Sequence, residues 1–406
     1  MKGNTPSRAG LLWDESFIWG LISFRALREK LSVDFELLTS ADIRAGRLSG
    51  LGLLYVPGGW ASNKMKALGK EGAGSIREFV AAGGCYMGIC GGAGLATSEG
   101  LGLLSITRRP LKERVPSLSG RIRAGISPHP AWNGIRGKKP EFHIWWPSQF
   151  VPEDPAIKVL ARFEGAADDA FSSDISVKDV QDFAALEEVY GLNLDPGRML
   201  KDPLVLEGGC GRGKVLASLI HFDTPGDRNG LKALGNLFDY FGVGRAKVKD
   251  AKKIPRRSGK NAGKNLAWEL MAPVEDIFRF GERNFLWFRR GWLIQWRRGV
   301  RGLEYFTLYE MARELAMRLE EDMPGEYVDE VLSLAGGLSG FGRKAKRLLM
   351  LERMALQEGE ALTFSRAENP EIQGLRMEMF SNSKSHGGEF KALLDKADRL
   401  LYALLK

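Results

Sequence analysis

Cysteine is scarce in this chain: Cys85, Cys90 and Cys210 are the only three among 406 residues. An odd number scattered through a long chain excludes a disulfide framework and fits a reducing compartment, so a cytoplasmic location is expected. Histidine is scarce too, with four residues. His129, His143 and His386 have no partner at metal-ligand spacing and no Cys-x-x-Cys occurs. No metal site and no cofactor are therefore expected. Long apolar runs are missing as well. None reaches the roughly 18 residues of a membrane span, and the first apolar run is broken by Asp14 and Glu15, which makes a poor signal peptide. Most of the chain also lacks an excess of either charge. Of the net +9, a local +8 sits in residues 245–264 (nine Lys/Arg against Asp250), which leaves +1 for everything else.

What the sequence does have is an ordinary globular mixture, 44% hydrophobic and 27% charged, which excludes a disordered or fibrous chain. Its fifty glycines fall in short turns without a fixed period, so collagen and repeat arrays are excluded. Residues 1–243 alternate strand and helix patterns. Ala9–Trp13, Val33–Leu38, Leu51–Val56 and Cys85–Ile89 read as strands, and Phe17–Leu31, Ser75–Ala82 and Gly230–Phe241 as helices. Strands separated by helices imply a doubly wound, mostly parallel sheet. From 105 to 183, Pro, Gly and aromatic residues (PHPAWNG, EFHIWWPSQF) suggest a β-rich insert on the same domain. Leu204–Leu206 and Lys214–Ile220 read as a hairpin around a Gly208–Gly213 turn.

The basic segment 244–264 reads as a solvated linker, and 265–406 as a separate helical domain without strands. In that domain NFLWFRRGWLIQWRRGVRG places Phe285, Phe288, Trp292 and Trp296 at helical spacing, with Arg283, Arg290 and Arg297 every seven residues. An amphipathic helix burying its aromatic stripe is expected. Nonspecific nucleic-acid binding through 245–264 is the lesser reading of the linker. A protein partner docking on 265–406 is the corresponding expectation for the helices.

The chemistry concentrates at Gly88-Ile89-Cys90-Gly91-Gly92, directly after an apolar strand. A nucleophile elbow needs a reactive side chain at the tip of a tight strand-to-helix turn, flanked by small residues. Pro57-Gly58-Gly59 follows the neighbouring strand and can offer a second backbone N–H to a developing oxyanion. His221 ends an apolar strand late in the same domain, with Asp223 two residues on. Together they read as an acyl-transfer triad in which Cys90 attacks, His221 moves the proton and Asp223 orients the ring. Cys85 reads as a small hydrophobe, and Cys210 as a turn thiol that could form a redox pair with Cys90.

YVPGG, GGCYMGICGGAG and GKVLASLIHFD, in that order, resemble the class I glutamine amidotransferase-like superfamily over about residues 9–243. Within it the sequence is similar to the family related to the N-terminal region of eukaryotic-type biotin-protein ligases. The resemblance implies a flavodoxin-like three-layer α/β/α sandwich. It implies Cys90 as nucleophile, His221 as base and Asp223 as acid, with Gly59 and Gly91 as oxyanion donors. Two departures stand out. Gly94 occupies the place of a glutamine that helps hold substrate in the glutamine-hydrolysing branch, and His221-Phe222-Asp223 replaces its His-Pro-Glu. A small amide or ester other than glutamine is therefore the expected substrate. The alternative is an inactive binding or regulatory module on the same fold. Asp14 or Glu15 could supply an auxiliary acid beside the cysteine, as in another branch, but capping of the helix at Phe17 is the simpler expectation. Biotinylation is not expected. Gly211-Arg212-Gly213-Lys214 only superficially resembles a ligase loop, and the C-terminal region shows no ligase core.

Overall fold

Apolar runs bounded by turn residues set the first strands. The computed structural model describes residues 7–246, 260–321, 324–364, 366–382 and 385–406. Contacts divide the chain into two compact units, Met1–Val248 and Lys249–Lys406. In the first, β1 (Arg8–Leu12), β2 (Phe35–Leu38), β3 (Leu51–Val56) and β4 (Cys85–Ile89) bury nearly all their side chains, as strands covered on both faces must. Between them lie α1 (Phe17–Arg25), α2 (Ser40–Arg44), α3 (Ala61–Ala81) and, after β4, α4 (Gly91–Leu95). The insert supplies β5 (Ile106–Arg108), β6 (Leu118–Ile126), β7 (Glu141–Trp145), β8 (Phe150–Pro152), β9 (Lys158–Ala166), β10 (Phe171–Ser172) and β11 (Ile175–Ser176), and α5 (Phe183–Tyr190) follows. The unit closes with β12 (Pro203–Cys210), β13 (Gly213–Ser218) and α6 (Arg228–Tyr240).

The parallel part of the sheet has the order β2-β1-β3-β4-β13. The β1-to-β2 crossover runs one way along the sheet and the β3-to-β4 crossover the other. Right-handed crossovers therefore place α1 and α3 on opposite faces. The result is a flavodoxin-like, three-layer α/β/α sandwich, whose ligand crevice belongs at the carboxyl ends beside the β1/β3 switch point. Beyond β13 the sheet continues antiparallel through β12, β9, β6, β10 and β11, with β7 paired to β6. The insert thus extends the same sheet, while β5 and β8 form a separate ribbon.

Two elements of this unit differ from the sequence reading. The helix expected at Ser75–Ala82 begins at Ala61 and is broken at Gly69, where φ is 64° and ψ −174°. Its first half was hidden because its buried stripe, Lys64, Leu68, Gly72, Ile76 and Val80, contains a lysine and a glycine. The expected 208–213 turn is shorter, because β12 pairs on to Cys210 opposite Gly213.

The second unit contains α7 (Lys260–Arg283), β14 (Trp287–Arg289), β15 (Ile294–Trp296), α8 (Gly302–Glu321), α9 (Val328–Gln357), α10 (Pro370–Phe380) and α11 (Gly388–Leu405). The aromatic stretch is not the expected amphipathic helix, and this region is not free of strands. Trp287 pairs across an antiparallel hairpin with Trp296, and the chain turns at Gly291 with φ 63°. The strand form buries Trp287 completely, and Phe288, on its other face, is exposed. The Trp287 indole donates to the Phe278 carbonyl at 3.1 Å, which anchors the hairpin on α7. Residues 247–259, most of the expected linker and most of its positive charge, lie outside the described residues. At its edges Arg245 donates to the Leu31 carbonyl, and Lys260 opens α7. No helix of the described residues is long and apolar enough to cross a membrane.

Candidate active site

Cys90 follows β4 in a backbone conformation that few non-glycine residues adopt, with φ 50° and ψ −103°. Such strain is stored where the surroundings over-determine it. Here the Cys90 amide donates to the Ser218 carbonyl at 2.7 Å, so β13 holds the turn from one side. On the other side the PGG loop lies so close that a methyl group on Gly91 would sit 1.8 Å from the Gly59 carbonyl oxygen. Only glycine fits there. The sulfur is half-buried and lies 3.7 Å from the Trp145 carbonyl, its acceptor at the end of β7. Neither Gly59 nor Gly91 donates its amide hydrogen to another group among the described residues.

His221 follows β13 and is fully buried. Its amide donates to the His143 carbonyl at 2.9 Å, and Ile220 bridges to Ile144. The insert therefore pins the histidine segment directly. The imidazole lies 4.8 Å from the Trp19 ring, centroid to centroid. Gly58 fits between the two, since a methyl group there would be 3.0 Å from each ring. His221 Nδ1 is 3.5 Å from Asp223 Oδ1, an ion-pair contact longer than a full hydrogen bond. Burial works to lower the His221 pKa, but the negative charge of Cys90 as thiolate and contacts with Asp223 and Cys90 outweigh it and raise it to about 9.

Asp223 has partners that sequence reasoning missed. Its Oδ2 accepts from the Ser23 hydroxyl on α1 and from the Tyr55 hydroxyl on β3 at 3.3 Å. Both donors are fully buried, and burial followed by the Asp223 charge pushes the Tyr55 hydroxyl far above its usual pKa. With Oδ2 occupied, Oδ1 faces the imidazole. A hydroxyl on a buried helix face or strand was a weak sequence signal, because either is as often an ordinary core residue.

The loop after β1 is set differently from expectation. Neither Asp14 nor Glu15 caps α1, whose N-cap is Ser16 without a side-chain cap bond. Asp14 Oδ2 instead accepts from Ser40 N at 2.7 Å, the first amide of α2. Glu15 Oε2 accepts from Asn63 Nδ2 at 3.2 Å. The buried Lys64 ammonium donates to the carbonyls of Asp14 and Glu15 at 3.3 and 3.1 Å. It ties this loop to α3, which starts just after the PGG turn. A lysine on an otherwise apolar i, i+4 stripe was the signal for it.

Trp145 and Trp146 were legible only as aromatic richness of the insert. Their rings lie 6.2 Å apart, and Trp146 is 6.3 Å from Trp19, which places three indoles around the cysteine–histidine pair. The Trp145 indole donates to Thr224 at 3.1 Å, and His143 meets the α6 cap Asp227 at 2.8 Å. Cys210 lies at the amino end of the parallel strands, level with the residue before Cys85, while Cys90 is at the carboxyl end. Six residues of strand separate the two levels by about 20 Å, so the two thiols cannot pair. Among the described residues no three His, Cys, Asp or Glu side chains converge as a metal set.

No protein-family profile matches the chain, and no curated protein matches it. Solved structures do. A putative GMP synthase component from Thermoplasma acidophilum is 14% identical, with a TM-score of 0.38 over 59% of this chain and 96% of that one. PurLQS from Thermotoga maritima is 16% identical, with a TM-score of 0.38 over 58% and 99%. A β-galactosidase from Bacillus circulans is 15% identical, with a TM-score of 0.36 over 59% of this chain but 32% of that one. A synthase component and a glycosidase share this likeness, which concerns the course of the backbone and leaves function to the site itself.

Proposed function

We propose that the first unit is a cysteine-dependent amidohydrolase or amidotransferase acting on a small amide or ester. The observation that carries the reading is the fully buried His221 imidazole with Nδ1 3.5 Å from Asp223 Oδ1, its pKa raised to about 9 with the charge of Cys90 among the causes. With Nδ1 turned to Asp223, Nε2 is the nitrogen left for the thiol. The Cys90 thiolate attacks the carbonyl carbon, and the carbonyl π pair moves onto oxygen, where the unengaged amides of Gly59 and Gly91 receive it. Collapse of the tetrahedral adduct breaks the C–N or C–O bond, and His221 gives its proton to the departing amine or alcohol. Water or an amine, deprotonated by His221, then attacks the thioester, releases acid or amide and regenerates the thiolate–imidazolium pair. Asp223, held by Ser23 and Tyr55, keeps the ring's orientation. Gly94 and the shorter Asp223 favour substrates other than glutamine. Kinship with the biotin-protein ligase N-terminal-like family is part of this reading and carries no ligase activity, and so is a cytoplasmic setting for the free thiols.

A binding module with an unused elbow is the second reading. The Trp145 carbonyl 3.7 Å from the sulfur favours it, because a carbonyl acceptor holds the proton on a thiol. The two are separated by the rate of iodoacetamide labelling at Cys90. An active pair labels rapidly at neutral pH, and His221→Ala slows labelling by about 10²-fold, in the range of a lost general base. A slow rate untouched by His221→Ala leaves the binding module.

A further inference from the structure

A second constellation stands one helical turn from the cysteine. Cys90 stands just before α4, and its carbonyl accepts from the Gly94 amide at 2.8 Å, so the two residues lie one backbone turn apart. Arg108, the last residue of β5, reaches Gly94 and donates from Nη2 to its carbonyl at 3.0 Å. A methyl group on Gly94 would lie 2.8 Å from that nitrogen, so the guanidinium fills the space a side chain at 94 would take. Arg114 stands close enough for the positive charge of Arg108, after burial, to depress its pKa, with Glu99 acting in the opposite sense. Among the described residues neither arginine forms an ion pair with Glu99 or any other carboxylate, whereas the adjacent Arg109 pairs with Asp202 at 2.7 Å. The Nε atoms of Arg108 and Arg114 are buried and lack a hydrogen-bond acceptor. Two like charges gathered in one partly buried corner repel each other, and donors left unbonded there cost free energy. An oxyanion answers both, since a guanidinium matches carboxylate and phosphate geometry.

We infer that Arg108 and Arg114 form an anion subsite, and that the substrate of Cys90 carries a carboxylate or phosphate near the carbonyl that is attacked. This rests on the acyl-transfer reading of Cys90 and adds the substrate's charge to it. The absence of a side chain at Gly94 leaves the guanidinium its place against the Gly94 carbonyl.

The test compares alkylation of Cys90 in the full chain by three reagents of equal reach: N-iodoacetyl-β-alanine, N-iodoacetyl-2-aminoethylphosphonate and neutral N-iodoacetylpropylamine. The expected result is labelling by one or both anionic reagents about tenfold faster than by the neutral one. The more favoured arm tells carboxylate from phosphate. In Arg108→Gln and in Arg114→Gln, which loses no bond to α4, the ratio falls toward one. A ratio near one in the parent protein, or one unchanged in both variants, overturns the subsite. If Cys90 resists even iodoacetamide, the nucleophile reading fails by itself. The subsite is then read from thermal unfolding with succinate or inorganic phosphate. A rise in Tm that the double variant loses supports it, and no rise overturns it.

Discussion

At Cys90 the backbone takes up strain of about 1–3 kcal/mol, and the price is set by its neighbours: Ser218 holds the amide, and the Gly59 backbone leaves no room beside Gly91. Gly91→Ala should therefore break the turn itself, lowering stability by more than about 1 kcal/mol and abolishing Cys90 labelling. Urea unfolding and labelling together would show it, and a stable, fully labelled variant would contradict the packing. His221 gives a second prediction. Its folded pKa of about 9 exceeds the unfolded value near 6.5. The stability contributed by the charged ring is thus complete below about pH 6.5 and lost as pH rises through about 9. Cys90→Ser removes the thiolate, so the His221 midpoint should fall. NMR titration of the ring checks this, and an unmoved midpoint would mean the sulfur does not charge it. Tyr55→Phe removes a hydrogen bond to a charged group, a loss of about 1.5–3 kcal/mol. It should also slow labelling less than His221→Ala does, because Ser23 still holds Asp223.

Among the elements, β4 with its elbow and the β14–β15 hairpin show opposite degrees of local control. An apolar run closing on Gly-Ile-Cys-Gly-Gly permits few alternatives. The aromatic stretch after α7 satisfied a helical period, yet it folds as a hairpin in which Trp287 is buried against α7. Trp287→Ala should then cost about 3–5 kcal/mol, read by chemical unfolding of the second unit, whereas Phe285→Ala at an exposed position should cost little. The interior of this unit also holds charge. Glu352 pairs with Arg376 at 2.8 Å, and burial, against the pull of Arg376, raises its pKa to about 7. A raised carboxyl binds its proton more tightly in the folded state. Its contribution to stability is thus complete below the unfolded value near 4.5 and lost as pH rises through about 7. Glu352→Gln should flatten that part of the pH–stability curve.

At the scale of the whole molecule, each unit has its own buried core, one built around the sheet and the other on helices α7–α11. All residues assigned to the acyl-transfer site, and both arginines of the anion subsite, belong to the first unit. A chain ending at Val248 should therefore fold and keep the Cys90 labelling rate. Loss of labelling in a folded truncated chain would mean the second unit completes the site.

The sequence by itself pointed to the alternation of strands and helices that makes the parallel sheet, to the turn at Cys90 and to the candidates His221 and Asp223. Local patterning suffices to point to these: apolar runs must be covered, and a cysteine between glycines directly after a strand marks a tight turn. Tertiary structure alone decided what converges there. Ser23, Tyr55 and Trp145 come together there from segments far apart in the chain, and nothing local distinguishes them from ordinary core residues, whereas Lys64 was marked only by its place on an apolar stripe. It also decided that Asp14 serves α2, that Cys210 lies at the far edge of the sheet, and that the aromatic stretch folds as strands. Each of these depends on which segments lie next to one another, and long-range contact is the information that periodicity and spacing do not contain.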